Sequence, residues 1–207
     1  MEEYIIDNDS KKFHLIGIGG ISMSAIAQML KDEGNIVTGS DKSESKQVKI
    51  LRDKKIDVTI GHDISKVSDA DIVIYTAAIP DEDIELVEAR KLKKDIYERA
   101  EFLGILIRRY KNSIGIAGTH GKTTTTSMIS NIFLKAGLNP TIQVGALLKE
   151  INSNYNIGDN ENFIFESCEY KDSFLNFYPK STVITNIDQD HMEYFKTLEN
   201  ILISFKK

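Results

Sequence analysis

Tryptophan is absent from the 207 residues, which hold one cysteine and three prolines. A lone cysteine, Cys168, forms no internal bridge, so a disulfide framework is excluded and a reducing compartment is favoured. So little proline excludes collagen-like architectures. Long hydrophobic runs are missing too. The most apolar stretch, 13–30, is interrupted by Gly17, Gly19, Gly20 and two serines, too polar a segment to read as a bilayer span. The first twelve residues are polar and lean acidic, the opposite of a signal-peptide start. A basic excess is also lacking: 26 Lys and Arg stand against 31 Asp and Glu, a net charge of −5. That argues against a general nucleic-acid binder, while leaving room for phosphate ligands, which need only local positive potential. The expectation is a cytoplasmic protein with no nucleic-acid or membrane partner; oligomeric state is not legible.

With 41% apolar residues and 13 glycines, the chain has an ordinary globular composition and enough length for a real core. Short apolar runs alternate with helical patterns. Residues 13–18 read as a strand, followed by a glycine-rich turn and a helix over 21–33. Further strands are expected at 35–39, 57–60, 71–75 and near 96, with helices at 45–54, after Pro80, and over 100–109. Acidic residues 81–83 open the helix after Pro80, and basic residues 90–94 close it, the order the helix dipole prefers. This alternation predicts an α/β fold: a Rossmann-like, doubly wound parallel sheet.

A second unit begins at a strand over 113–117. A glycine loop, 118–122, leads into a helix over 123–136, with Met128, Ile129, Ile132 and Phe133 at helical period. Gly137 is read as its stop signal, with Pro140 beyond. Strands follow at 163–165 and 182–185, then an acidic loop and a last helix from about 198. The domain boundary is placed at 110–112, giving domains 1–110 and 111–207. The second unit lacks an evident closing element, so the chain is read as incomplete at its C-terminus.

Two loops carry the chemistry. Gly17-Ile18-Gly19-Gly20-Ile21-Ser22 sits between strand and helix, where glycines let backbone approach a phosphate and the helix N-terminus offers free N–H groups. Ser22 stands where the third glycine of the dinucleotide fingerprint would be. Ser40 and Asp41 end the next strand, and an acid there commonly holds a ribose hydroxyl. The motif does not discriminate NAD from UDP, and a turn that binds nothing is the plain alternative. Residues 76–79 are a second strand-end loop able to line the same crevice.

The second loop, Gly118-Thr119-His120-Gly121-Lys122-Thr123-Thr124, reads as a variant P-loop, with Ile116 at the usual first glycine. Backbone N–H groups would cradle ATP, Lys122 would reach the outer phosphates, and Thr123 would hold Mg²⁺. Glu166 ends a neighbouring apolar strand, with Glu169 three residues on. Asn186, Asp188, Asp190 and His191 follow the next strand. Carboxylates with an imidazole beside a triphosphate suit one or two Mg²⁺ or Mn²⁺ ions. Asp188 and Asp190 read equally well as solvated loop charges, and His14 and His62 as ordinary histidines. Cys168 has no evident histidine partner and is not expected to be a nucleophile.

The segments 17–24, 118–125, 166–174 and 185–192 together resemble the Mur ligases. The match favours the branch that adds L-alanine to UDP-N-acetylmuramate in peptidoglycan synthesis. The murein-peptide-recycling branch is the alternative, since His120 is common to both and Gly17-Ile18-Gly19-Gly20 favours the first. An NAD(P)-dependent oxidoreductase using the first loop is a further alternative that leaves the second loop unexplained. The resemblance implies three domains, of which this sequence covers the first and the start of the central ATPase. It implies that Gly17, Gly19, Gly20, Ile21, Ser22, Ser40 and Asp41 face the UDP-sugar. Gly118, Thr119, His120, Gly121, Lys122, Thr123, Thr124 and Asn186 would face ATP. Thr123, Glu166 and His191 would hold metal, and Lys122, Glu166 and His191 would serve catalysis. The implied reaction makes an acyl phosphate from the substrate carboxylate, which the amine of alanine then attacks.

Overall fold

A computed structural model describes residues 10–207. The chain divides between Phe102 and Leu103 into two compact units.

The first unit is built on strands β1 (Lys12–Ile16), β2 (Ile36–Asp41), β3 (Asp57–Ile60), β4 (Ile72–Tyr75) and β5 (Asp95–Glu98). They form a parallel sheet ordered β3-β2-β1-β4-β5. Helices α1 (Ile21–Asp32), α2 (Lys46–Asp53), α3 (Ile64–Asp69) and α4 (Ile84–Lys91) make the crossovers. Strand order reverses at β1, so the doubly wound expectation holds, and the crevice at the carboxyl ends of β1 and β4 is a topological switch point. β1 and β4 are covered on both faces, which is why Phe13, Leu15, Ile16, Ile72, Val73 and Ile74 are all buried and their strands read as continuous apolar runs. Phe13 packs edge-on against Phe102 at 5.9 Å between centroids. β1 ends earlier than its apolar run suggests, because Gly17 turns the chain with φ +79°.

α5 (Arg99–Arg108) carries the chain across the division. The second unit has β6 (Asn112–Ala117), α6 (Lys122–Lys135), β7 (Thr141–Leu148), β8 (Ser153–Asn156), β9 (Asn162–Glu166), β10 (Ser181–Ile184), α7 (Met192–Phe195) and α8 (Leu198–Phe205). Its sheet order is β10-β6-β9-β7-β8, parallel except for β7 with β8. β6 lies between β10 and β9, so the loops after these three strands open at one sheet end. Phe163 packs against Tyr110 at 4.9 Å and Phe165 at 5.2 Å, and Phe165 meets Phe177 at 5.5 Å, forming an aromatic core under that end.

Among the described residues five elements were not anticipated: α3, β7, β8, α7 and a 3₁₀ helix over Tyr170–Asn176. α3 and α7 are too short to show a period. β7 carries Gly145 in its interior, and β8 reads Ser-Asn-Tyr-Asn, a polar edge strand without the β-branched signature. Among the described residues no helix is long and apolar enough to cross a membrane.

Candidate functional site

Side-chain oxygens cap α2 (Ser45), α3 (Asp63), α4 (Asp83) and α8 (Thr197). The two helices that follow the glycine loops have no such cap: Gly20 stands at the N-cap of α1 and Gly121 at that of α6. Their first-turn N–H groups are therefore left for backbone, water or a ligand.

In the first unit, a cleft of about 580 Å³ opens at the switch point. Gly17 and Gly20 form one wall, Ser40, Asp41 and Lys42 the second, and Thr76, Ala78, Ile79 and Pro80 the third. The loop is held by its own neighbours. The N–H groups of Gly17 and Ile18 donate to the Ser40 carbonyl at 2.9 and 3.0 Å. The N–H of Gly19 donates to Asp41 Oδ2 at 2.8 Å, and Asp41 Oδ1 accepts from the N–H of Ser43 at 3.2 Å. A Cβ at Gly19 would lie 2.8 Å from Asp41 Oδ2, so this position requires glycine for close approach. Asp41 thus braces the glycine loop through one oxygen and the turn after β2 through the other. Ile21 is exposed and Ser22 half-buried at the start of α1.

Behind the cleft lies a polar network that the sequence reading missed. Glu85 is completely buried. Its Oε2 accepts from the Ser40 hydroxyl at 2.5 Å and lies 3.4 Å from His62 Nδ1. Its Oε1 accepts from the Asp63 N–H at 2.7 Å and lies 3.2 Å from His14 Nε2. Burial pushes the Glu85 carboxyl up, but hydrogen bonds from His14, Ser40 and Asp63, with the charge interaction of His14, outweigh it and hold it below the usual range. His14 and His62, read as ordinary, both join this network, and His62 and Glu85 line the cleft. Ser40 therefore turns its side chain to Glu85. No local signal marks the network, because its members are spread over four elements.

In the second unit, the loop from Gly118 to Lys122 links β6 to α6. Gly118 has φ +123°, and a Cβ there would meet Asn186 backbone oxygen at 2.7 Å. The segment after β10 braces the loop. Asn186 accepts the His120 N–H on Oδ1 at 3.0 Å and donates from Nδ2 to the His120 carbonyl at 2.9 Å. The N–H of Thr119 donates to the Asn186 carbonyl at 3.1 Å, and the Asp188 N–H to Thr119 Oγ1 at 2.8 Å. Asn186 is thus tied into the loop, and Asp188 turns its backbone to it. Thr123 is half-buried and Thr124 exposed in the first turn of α6.

Lys122 folds back over the loop. Its ammonium donates to the carbonyls of Gly118 and Thr119 and lies 3.0 Å from Glu169 Oε2. Glu169 is only 2% exposed. Glu169, Asp190 and His191 bring one potential ligand atom each within 4.8 Å of one another. The His191 ring packs against Tyr170, 4.7 Å between centroids and tilted by 39°. Of the three residues expected to hold metal, His191 enters this group, while Glu166 instead accepts the Gly145 N–H on Oε1 at 2.7 Å. Cys168 is a free, half-buried thiol between Glu166 and Glu169.

Residues 12–111 match the model described as Mur ligase family, catalytic domain, and residues 116–207 match Mur ligase middle domain. The chain belongs to the Mur ligase family. The UDP-N-acetylmuramate–L-alanine ligase of Caldicellulosiruptor saccharolyticus is 58% identical over 95% of this Mur ligase chain, and that of Clostridium novyi is 50% identical over 98%. A solved UDP-N-acetylmuramate-alanine ligase from Thermotoga maritima superposes with a TM-score of 0.87 at 34% identity, over 95% of this chain and 46% of its own. The chain spans 43% and 44% of the two curated relatives.

Proposed function

We propose that this Mur ligase chain supplies the nucleotide-sugar site and the P-loop of an ATP-dependent ligase that joins L-alanine to UDP-N-acetylmuramate. The observation that carries the reading is the loop Gly118–Thr124, uncapped at Gly121, braced by Thr185 and Asn186, with Lys122 beside a carboxylate–imidazole group. The similar UDP-N-acetylmuramate–L-alanine ligases support the substrate pair. In this reading the domains are 1–110 and 111–207. Gly17, Gly19, Gly20, Ile21 and Ser22 present backbone to the diphosphate. Ser40 and Asp41 fix the wall beside it.

The loop N–H groups and Lys122 receive the ATP phosphates, and the lysine offsets charge on the transferring phosphoryl group, a contact that typically lowers a barrier by about 3–4 kcal/mol. Asn186 holds the loop to β10. The substrate carboxylate is activated as an acyl phosphate, and the amine of alanine then displaces phosphate. The donor set fits a hard divalent cation: carboxylate oxygens and an imidazole, with a lysine ammonium already resting on one of the carboxylates. Thr123 and Glu166 would hold one Mg²⁺ or Mn²⁺, and His191, beside Glu169 and Asp190, would support a second metal site; the cations would offset repulsion between anionic substrates. The Gly145 N–H fixes the orientation of Glu166 for that role.

A chimera joining this chain to the C-terminal remainder of the C. saccharolyticus relative should release phosphate only with UDP-N-acetylmuramate, L-alanine and ATP together. Lys122→Ala in that chimera should abolish ligation and keep UDP-sugar binding. Wild-type-like turnover by the variant would remove Lys122 from the mechanism.

A further inference from the structure

We infer that Lys122 closes a divalent-cation site in the nucleotide-free protein, and that metal loading and lysine release are linked. The site is Glu169, Asp190 and His191, whose ligand atoms lie within 4.8 Å of one another. Glu169 follows β9, and Asp190 and His191 follow β10, the two strands that flank β6, so both bring their donors to the sheet end where the Gly118 loop leaves β6. The lysine ammonium holds the Glu169 corner of this group. It lies 3.0 and 3.2 Å from the two Glu169 oxygens, and the carbonyls of Gly118 and Thr119 accept its remaining hydrogens.

The surroundings fix the donors. The Tyr170 ring packs against the His191 ring at a 39° tilt, and Asp190 Oδ1 accepts the His191 N–H at 2.7 Å. His191 has a left-handed backbone, φ +51°, a conformation that a non-glycine residue keeps only where surrounding contacts impose it. His191 Nδ1 also lies 3.7 Å from the Glu193 carboxylate, an exposed group at the rim.

A buried carboxylate stripped of its cation is strongly unfavourable. Lys122 therefore does not leave Glu169 without a replacement. When phosphate draws the ammonium away, a dication is the replacement the donor set suits. By linkage, metal on Glu169 then favours a lysine free to meet phosphate, and phosphate favours metal to the same degree. The release step rests on reading the loop as a nucleotide loop; the closure rests only on where Lys122 sits.

Mn²⁺ binding to the 207-residue chain without nucleotide, read by electron paramagnetic resonance, tests the closure. Lys122→Met keeps the aliphatic stem and removes the charge. It should bind Mn²⁺ at least tenfold more tightly than the wild type, and adding Glu169→Gln should erase that gain. Equal affinity in wild type and Lys122→Met would overturn the inference, as would a gain that survives Glu169→Gln. A second readout needs no variant. Saturating Mn²⁺ should raise the acetylation rate of Lys122 in the wild type, measured by mass spectrometry, and an unchanged rate would contradict the exchange. ATP takes no part in either measurement, so their failure leaves the nucleotide reading standing, and failure of ATP to bind leaves this one standing.

Discussion

Replacing Glu85 with alanine should destabilise the first unit by about 3–5 kcal/mol, the range for removing one partner of a buried charged network. Two of the groups left behind, the Ser40 hydroxyl and His14, are 2% and 0% exposed and cannot turn to water. Each stranded group costs about 1–3 kcal/mol. The Asp63 N–H and the half-exposed His62 reach solvent more easily and add less. Glu85→Gln keeps the shape and one accepting oxygen for the Asp63 N–H, so its cost should be about 1–2 kcal/mol. The pH dependence has a definite sign. The folded-state pKa lies below the unfolded one, so Glu85 stabilises above its ordinary pKa and loses that contribution as pH falls through the lower, folded value. The gap between wild type and Glu85→Ala should therefore be full at pH 7 and shrink below about pH 4. Urea denaturation followed by circular dichroism measures both. A loss under 1 kcal/mol for Glu85→Ala at pH 7, or equal losses for the two variants, would refute the argument.

Other substitutions test other parts of the account. The hydroxyl of Ser65, the Lys66 N–H and the Thr59 hydroxyl, with the Lys66 ammonium, outweigh a burial penalty and hold Asp63 at about 2. Asp63→Ala, which removes the α3 cap, should cost about 1 kcal/mol at pH 7, and that difference should vanish between pH 4 and 2 in acid titration melts. Gly118→Ala places a Cβ against the Asn186 carbonyl at φ +123°; it should lose ATP binding in calorimetry while UDP-sugar binding survives. Gly104→Ala directs a Cβ into the Asn176 carbonyl, 2.1 Å away, and should lower stability by about 1–3 kcal/mol in thermal melts while leaving both ligand sites intact.

How much was legible follows from how local each signal is. Gly17 and Gly118 turn their loops with positive φ, a requirement local to each loop, so the glycine spacing announces both sites. β1, β4 and β9 are buried on both faces and read as apolar runs. Glu85 was invisible, because its partners His14, Ser40 and Asp63 stand 71, 45 and 22 residues away along the chain. The acidic opening of α4 describes a helix start equally well and says nothing of Glu85's burial. Glu169 was seen as a carboxylate near a strand end, but its pairing with Lys122 depends on β6 and β9 lying side by side. The β7–β8 pair escaped because Gly145 breaks the alternation and β8 is polar. Gly145 is there for a reason outside its own strand: a Cβ would lie 2.9 Å from Glu166 Oε2.

The central claim is that one chain carries two separate nucleotide sites, a UDP-sugar cleft in the first unit and an ATP loop in the second. Isothermal titration of the 207-residue chain with UDP-N-acetylmuramate, then with ATP and Mg²⁺, and separately with NADH, tests it most directly. The account predicts one site for each of the first two ligands, with Lys122→Ala abolishing only the ATP site and Gly19→Ala only the sugar site, and no heat with NADH. Saturable NADH binding at the first loop, or loss of both ligands in either single variant that still folds, would contradict it.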